Sequence, residues 1–169
     1  SNSIRNAVNT VLQKEGSIDV LINNAGMHSG APIEDAPEEM FRKQMDINFH
    51  GWINTIKSVL PGMRSRRSGL IINISSIGAL TGLPFQGVYT SAKFAVEGLS
   101  YALRLELKQF NIKVVVVNPG DFRTRNVKTR EMALAENSAY EKQFKKSLAI
   151  IEKEEGEGKD PVLLARKIS

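Results

Sequence analysis

The hydrophobic residues of this chain follow two patterns, helical spacing and short continuous runs. Apolar residues recur at helical spacing over residues 3–14, and Gly16 is expected to end this helix. Three short apolar runs, at residues 20–22, 70–74 and 112–117, predict buried strands of a parallel sheet. Polar or turn-forming residues follow each run and mark the carboxyl end of the predicted strand.

Two longer amphipathic helices are predicted between these strands. The first is expected to begin at Asp35, which forms a capping box with Glu38. It is expected to run to about Arg64, with Pro61 bending its last turn. The second is expected to cover residues 87–110. This order predicts an α/β fold with a Rossmann-like, doubly wound parallel sheet, whose functional site lies at the carboxyl ends of the strands.

The segment 121–159 is highly charged and is predicted to form a lid over the carboxyl edge of the sheet. Within it, residues 131–136 and 140–152 show helical patches, and a flexible break is expected at residues 155–158. A further helix is expected to start at Asp160. Residues 1–169 are therefore interpreted as one domain that contains this lid.

Composition narrows the class of protein. The chain has 169 residues, of which 41% are hydrophobic, and no run of about 18 apolar residues that would predict a membrane span. It has no cysteine, which excludes disulfides and cysteine-ligated metals and fits a cytoplasmic protein. The net charge is +5, but its basic residues have few aromatic neighbours. A solvated surface is therefore favoured over a nucleic-acid interface.

Candidate chemistry begins with Tyr89 and Lys93. They are four residues apart, so on a helix they lie on one face, about one turn of 3.6 residues from each other. An ammonium beside a phenol favours the phenolate and would bring the pKa of Tyr89 towards neutrality. By itself this pair is a weak signal, because many helices carry it by chance.

Five segments resemble, in order and spacing, those of the short-chain dehydrogenase/reductase family. They are Asp-Val-Leu-Ile-Asn-Asn-Ala-Gly at residues 19–26, Asp-Ile-Asn at 46–48, Ser76 placed 13 residues before Tyr89, the pair Tyr89 and Lys93, and Pro-Gly-Asp-Phe-Arg-Thr at 119–124. The resemblance covers nearly the whole chain. It implies hydride transfer between NAD or NADP and a secondary alcohol or ketone, without distinguishing the two cofactors.

The same resemblance implies a role for each matching residue. Tyr89 would be the general acid or base on the substrate oxygen, and Ser76 would donate to that oxygen. Lys93 would lower the pKa of Tyr89 and bind the nicotinamide ribose, and Asn48 would hold a water in a proton relay to Lys93. The residues expected along the cofactor are Asn24, Ala25, Gly26, Tyr89, Lys93, Pro119, Gly120, Phe122 and Thr124.

Several residues keep a second interpretation. Asn24 would otherwise only connect adjacent strands and turns, and Asn48 would otherwise be an ordinary helix surface residue. Thr124 would otherwise be a simple turn residue. Ser75 competes with Ser76 for the site, although the spacing to Tyr89 favours Ser76.

No metal site is predicted from the two histidines. His28 and His50 have no metal-ligand partners at suitable spacing, and both are interpreted as non-functional. A Gly-x-Ser-x-Gly motif is absent from the sequence, which argues against a serine hydrolase.

The chain departs from the family at both ends. Family members begin with a strand and a glycine-rich turn that binds the cofactor pyrophosphate, whereas this chain begins one helix before Asn23. It therefore resembles a central catalytic piece, in which the first strands and the last strand of the sheet are missing. An unpaired hydrophobic strand at 20–23 is expected to make the isolated chain poorly stable, and cofactor binding by it is expected to be weak.

Three functions compete on these grounds. The first is an NAD(P)-dependent oxidoreductase, whose lid and segment 119–124 weakly resemble the branch that handles steroids, retinoids and other lipophilic carbonyls. The second is a catalytically inactive fragment or oligomerisation module, in which helices 37–64 and 87–110 pair with a second copy, as the family resemblance implies. The third, nucleic-acid binding, rests on charge alone.

Overall fold

A computed structural model gives the structure of the chain and describes residues 2–124 and 129–168. Its helices are α1 (Asn2–Glu15), α2 (Glu38–Met45), α3 (Gly51–Arg66), α4 (Gly87–Leu107), α5 (Glu141–Gly156) and α6 (Pro161–Ile168). Its strands are β1 (Val20–Asn23), β2 (Ser29–Gly30), β3 (Gly69–Ile74), β4 (Ile112–Val117) and β5 (Glu131–Met132). A π-helical turn at Asp46–His50 joins α2 to α3, and 3-10 turns cover Ile33–Asp35, Ile77–Ala79 and Lys108–Phe110.

The main sheet is parallel, with strand order β1-β3-β4. Leu21 pairs with Ile71, and Ile71 pairs with Val114, so the three strands are in register. This confirms the predicted α/β fold with a parallel sheet. A second pair, β2 with β5, is also parallel and ties the loop after β1 to the segment after β4. The sequence pattern did not predict it, because each strand has only two residues.

One face of the sheet carries the hydrophobic core. Alternate strand residues point to this face, where α1, α3 and α4 cover them. The buried cluster consists of Val8, Ile56, Val59, Met63, Ile71, Leu103, Leu107, Ile112 and Val114. The approach between α3 and β3 is close enough to require a glycine. A Cβ on Gly69 would lie 2.6 Å from the Met63 sulfur.

The opposite face of the sheet is partly open. Val20 and Ile22 of β1 are each 49% exposed, and Val115 of β4 is 41% exposed. Towards the carboxyl ends of β3 this face becomes buried, at Ile72 and Ile74. The open area therefore lies along the edge strand β1 and its neighbours, where the sequence predicts apolar exposure.

The predicted capping box at the start of the first long helix is wrong. Asp35 lies in a 3-10 turn, and α2 begins at Glu38 with Pro37 in the N-cap position and no side-chain cap. The residue before a proline is restricted to extended conformations, and Ala36 is extended, with φ −70° and ψ 119°. Helical hydrogen bonding therefore cannot run from Asp35 into α2. The helical region also continues to Arg66, two residues beyond the predicted end.

Two predictions within the charged segment are wrong. Residues 131–136 are not helical, because the Glu131 N–H donates to the His28 carbonyl and the Ala133 N–H donates to the Gly30 carbonyl. These bonds build the β2–β5 ladder instead of a helix. The break expected at residues 155–158 comes later than predicted, since α5 includes Gly156. Residues 125–128 of the predicted lid lie outside the described residues.

The remaining predicted helices are confirmed. Gly16 adopts a φ of 76° and its N–H donates to the Leu12 carbonyl, which ends α1 in the way glycine commonly does. At α6, the Asp160 carboxylate accepts from the Val162 N–H and caps the first turn. None of the described helices has the length and hydropathy needed to cross a bilayer.

Candidate active site

A cavity of about 870 Å³ lies at the carboxyl ends of the three main strands. It brings together residues that are far apart in the sequence, as expected for this edge of a parallel sheet. The predicted site residues that line it are Asn24, Gly26, Ser76, Tyr89, Lys93, Pro119, Gly120, Phe122 and Thr124. Ala25 and Asn48 are not part of the lining.

Tyr89 lies in the first turns of α4 and is hydrogen-bonded to Ser76. Burial raises the pKa of Tyr89, the hydrogen bond with Ser76 lowers it in part, and the Glu155 carboxylate raises it further. This differs from the sequence-based expectation of a lowered phenol pKa. The physical reason is that partial burial of the phenol, together with the Glu155 carboxylate, outweighs the hydrogen bond with Ser76. Tyr89 is therefore a protonated phenol in this structure.

Lys93 is a buried cation one turn along α4. Its Nζ donates to the Ile74 carbonyl at 2.9 Å and lies 4.8 Å above the Trp52 ring. Burial lowers the pKa of Lys93 to about 8, although the nearby Glu97 carboxylate raises it. The ammonium is therefore close to losing its proton under mildly basic conditions.

The two serines after β3 have different surroundings. Ser76 begins the 3-10 turn, and its Oγ accepts from the Gly78 N–H at 3.0 Å. It is also the serine that is hydrogen-bonded to Tyr89. Ser75 is buried, and its hydroxyl has no hydrogen-bond partner. The geometry therefore agrees with the spacing, which favours Ser76 as the serine beside Tyr89.

Asn48 lies in the π-helical turn and is completely buried. Its Oδ1 accepts from the Met27 N–H at 2.8 Å, and its Nδ2 donates to the Met27 carbonyl at 2.9 Å. The alternative that Asn48 is an ordinary helix surface residue is wrong. Its side chain holds the loop after β1 in place, and π-helical turns of this kind are frequent at functional sites.

The neighbouring residues Asn23 and Asn24 at the end of β1 have different roles. The amide of Asn23 donates to Asn73 Oδ1 at 2.8 Å, and Thr55 donates to Asn23 Oδ1 at 2.7 Å. Asn73 in turn donates to Ser100 at 2.8 Å. Asn23 therefore connects the strands and helices, which leaves the exposed Asn24 to line the cavity.

The turn that follows these asparagines packs closely against α3 and the π-helical turn. The Ala25 carbonyl accepts from Trp52 Nε1 at 2.7 Å, so its role in this structure is to anchor the turn. A Cβ on Gly26 would lie 3.3 Å from Asn48 Oδ1, a distance that leaves little room for any side chain. Gly26 therefore lines the cavity through its backbone, while Ala25 anchors the turn beside it.

Part of the cavity wall was not predicted from the sequence. His28 and Gln86 line it beside Tyr89, and α5 and α6 contribute further residues to its wall. The residues of α5 and α6 that line it include Ser147, Ile150, Ile151, Glu154, Glu155, Leu164, Ala165 and Ile168. The helical spacing of Phe144, Ser147 and Ile151 was the available signal for a helix face directed towards the site.

The segment directly after β4 contacts α5 and the residues that follow α5. Arg130 forms an ion pair with Glu155, and the Arg123 N–H donates to the Lys159 carbonyl at 3.0 Å. Phe122 and Lys159 form an isolated parallel bridge. Among the described residues, no group of histidine, aspartate or glutamate side chains is arranged to hold a metal ion.

Comparison with known proteins identifies the family. A family model described as short chain dehydrogenase matches residues 1–134. A 3-ketodihydrosphingosine reductase of Bacteroides thetaiotaomicron is 49% identical over 99% of this chain and 63% of its own length. The chain thus spans less than two thirds of that relative.

Solved structures agree with this assignment. A short-chain dehydrogenase from Streptomyces avermitilis has a TM-score of 0.85 and 28% identity, over 99% of this chain and 60% of that one. An NAD+-bound xylitol dehydrogenase has a TM-score of 0.69 and 31% identity, over 72% and 47%. A variant of ElxO with NADPH bound has a TM-score of 0.72 and 32% identity, over 76% and 52%. The chain therefore belongs to the short-chain dehydrogenase family of oxidoreductases.

Proposed function

We propose that the protein containing this chain interconverts a secondary alcohol and a ketone, using NAD or NADP and a centre formed by Ser76, Tyr89 and Lys93. One observation carries this proposal. Tyr89 is a partly buried, protonated phenol, hydrogen-bonded to Ser76 in a cavity that also contains the Lys93 ammonium. A phenol held in this way is a proton donor for a carbonyl oxygen.

The cavity fits the nicotinamide half of such a cofactor. Its volume of about 870 Å³ is within the range of small-molecule sites, and Gly26 and Gly120 leave parts of its wall without side chains. The Ile74 carbonyl takes one of the three donors of the Lys93 ammonium, so others remain for a ribose hydroxyl. When bound, the nicotinamide supplies the hydride chemistry.

The chain's own residues supply the proton chemistry and hold the substrate. During reduction the Tyr89 hydroxyl donates its proton to the carbonyl oxygen, while the Ser76 hydroxyl donates a hydrogen bond to the same atom. Burial keeps Tyr89 protonated, which suits the reductive direction. Lys93 then returns a proton towards Tyr89, and Asn48 supports this relay through a water. In the oxidative direction the same groups act in reverse order.

A lipophilic ketone is the substrate class that the lining supports. Helices α5 and α6 and the loop before α4 present Leu83, Ile150, Ile151, Leu164 and Ile168 to the cavity. A chain of methylenes bound there is stabilised by about 0.8 kcal/mol per buried CH₂. The name of the Bacteroides relative, a reductase of 3-ketodihydrosphingosine, points in the same direction. We therefore propose a long-chain aliphatic ketone.

Self-association through α4 is part of the same proposal. Phe94, Tyr101 and Leu105 are exposed and lie at spacings of seven and four residues, which places them on one face of the helix. An exposed apolar stripe of this kind favours a second copy of the chain as its partner. The proposed dimer would leave the cavity accessible, because Tyr89 and Lys93 occupy the earlier turns of α4.

The substitution Tyr89→Phe tests the proposed chemistry. It removes the hydroxyl and retains the ring, so we expect ketone-dependent NAD(P)H oxidation to fall by about 10²–10⁴-fold. Circular dichroism should be unchanged. The matched control is Tyr140→Phe, which removes an exposed hydroxyl outside the cavity and should leave activity unchanged. Full activity in Tyr89→Phe would overturn the proposal.

A further inference from the structure

His28 is a buried titratable residue that the proposed chemistry does not use. It lies in the loop between β1 and β2, is 7% exposed, and lines the same cavity as Ser76 and Tyr89. Its ring meets the ring of Tyr89 edge to face, with centroids 4.5 Å apart and an interplanar angle of 72°. A polar group on the substrate close to the reacting carbonyl would therefore pass beside His28.

The protonation state of His28 follows from its contacts. Burial lowers the pKa of His28, and the positive charges of Arg130 and Lys93 lower it further, whereas the hydrogen bond to Gln86 raises it. The imidazole is therefore neutral at physiological pH. Its Nε2 is 2.7 Å from Gln86 Oε1, and an amide oxygen is an acceptor only. The proton consequently resides on Nε2, and Nδ1 retains its lone pair.

The charge of the cavity adds to this preference for a donor. The whole sequence has a net charge of +5, but the described side chains that line the cavity include three carboxylates and one ammonium. The carboxylates belong to Asp121, Glu154 and Glu155, and the ammonium belongs to Lys93. Glu155 is paired with Arg130, so Asp121 and Glu154 are the carboxylates that favour a ligand with an amine over one with an anionic group.

We propose that His28, oriented by Gln86, determines substrate specificity by accepting a hydrogen bond from an amine or hydroxyl group on the carbon next to the reacting carbonyl. This inference rests on the proposed function, and it narrows the substrate from a long-chain ketone to a 2-amino or 2-hydroxy ketone. The alternative is that His28 only packs against Tyr89. The two differ in one respect, since packing requires the ring and recognition requires the acceptor.

Two substitutions separate the acceptor from the ring. His28→Phe retains a ring against Tyr89 and removes the acceptor, whereas His28→Asn removes the ring and offers a carbonyl oxygen near the position of Nδ1. The measurement is kcat/KM of the intact protein for a long-chain 2-aminoketone and for the plain ketone of the same length. We expect His28→Phe to lower the ratio of these values about tenfold and His28→Asn to restore much of it.

His50→Phe is the matched control, because His50 is exposed in the π-helical turn and does not line the cavity. It should leave the ratio unchanged. The inference is overturned if wild-type protein shows no preference for the 2-aminoketone, or if His28→Phe lowers kcat/KM equally for both ketones. Equal losses would mean that the His28 ring supports Tyr89 and does not recognise a group on the substrate.

Binding measurements separate failure of this inference from failure of the proposed function. Calorimetry with a long-chain 2-amino alcohol and with the matching plain alcohol requires no turnover. We expect wild-type protein to bind the 2-amino alcohol about tenfold more tightly and His28→Phe to bind both alike. If no ketone is reduced, the proposed function fails, yet this difference in binding would still support recognition by His28. Equal wild-type affinities would overturn it.

Discussion

The covered face of the sheet and the cavity at its carboxyl edge are built on opposite principles. On the covered face, apolar side chains such as Ile71 and Val114 pack against three helices. The wall of the cavity also contains buried polar or charged groups, including Lys93, His28 and Gln86. Burial of apolar surface stabilises a fold, whereas burial of a charge disfavours it unless other contacts compensate.

This difference indicates where buried groups lower the stability of the fold and serve the proposed reaction instead. The buried ammonium of Lys93 and the phenol of Tyr89 both have shifted pKa values, and burial is the first cause of each shift. The Ser75 hydroxyl in the cavity wall is buried without a hydrogen-bond partner. We therefore expect substitutions in the core to act on stability, and substitutions at the cavity to act on pH dependence and activity.

The largest expected effect on stability comes from the core. Ile71→Ala removes a completely buried side chain and should lower the free energy of unfolding by about 2–5 kcal/mol. Ile22→Ala is the matched control on the open face, where 49% of the side chain is already exposed, and the loss should be about 1 kcal/mol. Urea denaturation of both variants measures the difference. Equal losses would show that the two faces are equally packed.

The buried ammonium predicts a rise in stability with pH. The pKa of Lys93 is about 8 in the folded chain and has an ordinary value of 10.5. Between these values the unfolded chain binds the proton and the folded chain releases it, so the free energy of unfolding increases with pH. The full gain is about 3 kcal/mol, at 1.36 kcal/mol for each pKa unit.

Urea denaturation at pH 7 and pH 10 measures this gain, and Lys93→Met should remove it. The comparison stays at or below pH 10 because the raised pKa of Tyr89 acts in the opposite sense above that value. Lys57→Met is the matched control, since Lys57 is an exposed lysine of α3. A wild-type protein whose stability is flat or falls over this range would contradict the buried ammonium.

The amide network at the sheet edge is expected to have an intermediate effect. Asn73→Ala leaves the buried amide of Asn23 and the hydroxyl of Ser100 without their partner, at a cost of about 1–3 kcal/mol. Asn24→Ala removes an exposed side chain and should change the free energy of unfolding by less than about 0.5 kcal/mol. Thermal denaturation of both variants compares them. If Asn24→Ala lost as much stability as Asn73→Ala, the proposed role of the amide network would be wrong.

The smallest expected effect concerns the two serines after β3. Ser75→Ala removes a buried hydroxyl that has no partner, so stability should rise by about 1 kcal/mol with activity retained. Ser76→Ala removes the hydrogen bond to Tyr89 and should lower kcat with little change in stability. Denaturation and ketone reduction are measured side by side. An active Ser76→Ala together with an inactive Ser75→Ala would exchange the two roles.

Local patterns were sufficient for the main elements of the fold. Helical periodicity predicted α1 and the long helices, and short β-branched runs predicted β1, β3 and β4, because both patterns depend on neighbouring residues. The prediction failed at Asp35, where Pro37 forces the preceding residue into an extended conformation. It failed again at Glu131, whose backbone pairs with the distant loop after β1.

In the candidate site, too, some residues could be predicted from local sequence patterns and others only from the folded structure. Tyr89, Lys93 and Ser76 are linked by spacing along one helix and the strand before it, so motifs alone pointed to them. His28 carried no motif and was interpreted as non-functional. It reaches the site only because the fold places Gln86, 58 residues away, at hydrogen-bond distance and Tyr89 against its ring.

The sign of the Tyr89 pKa shift is the clearest case of a property that spacing does not contain. The sequence specifies that a lysine follows one turn after the tyrosine, and from this alone a lowered pKa is the natural expectation. The folded chain buries the phenol and directs Lys93 Nζ to the Ile74 carbonyl, so the pKa rises. Residue types and periodicity are local properties, whereas desolvation is the sum of all segments that pack around a group, and it exists only once the chain has folded.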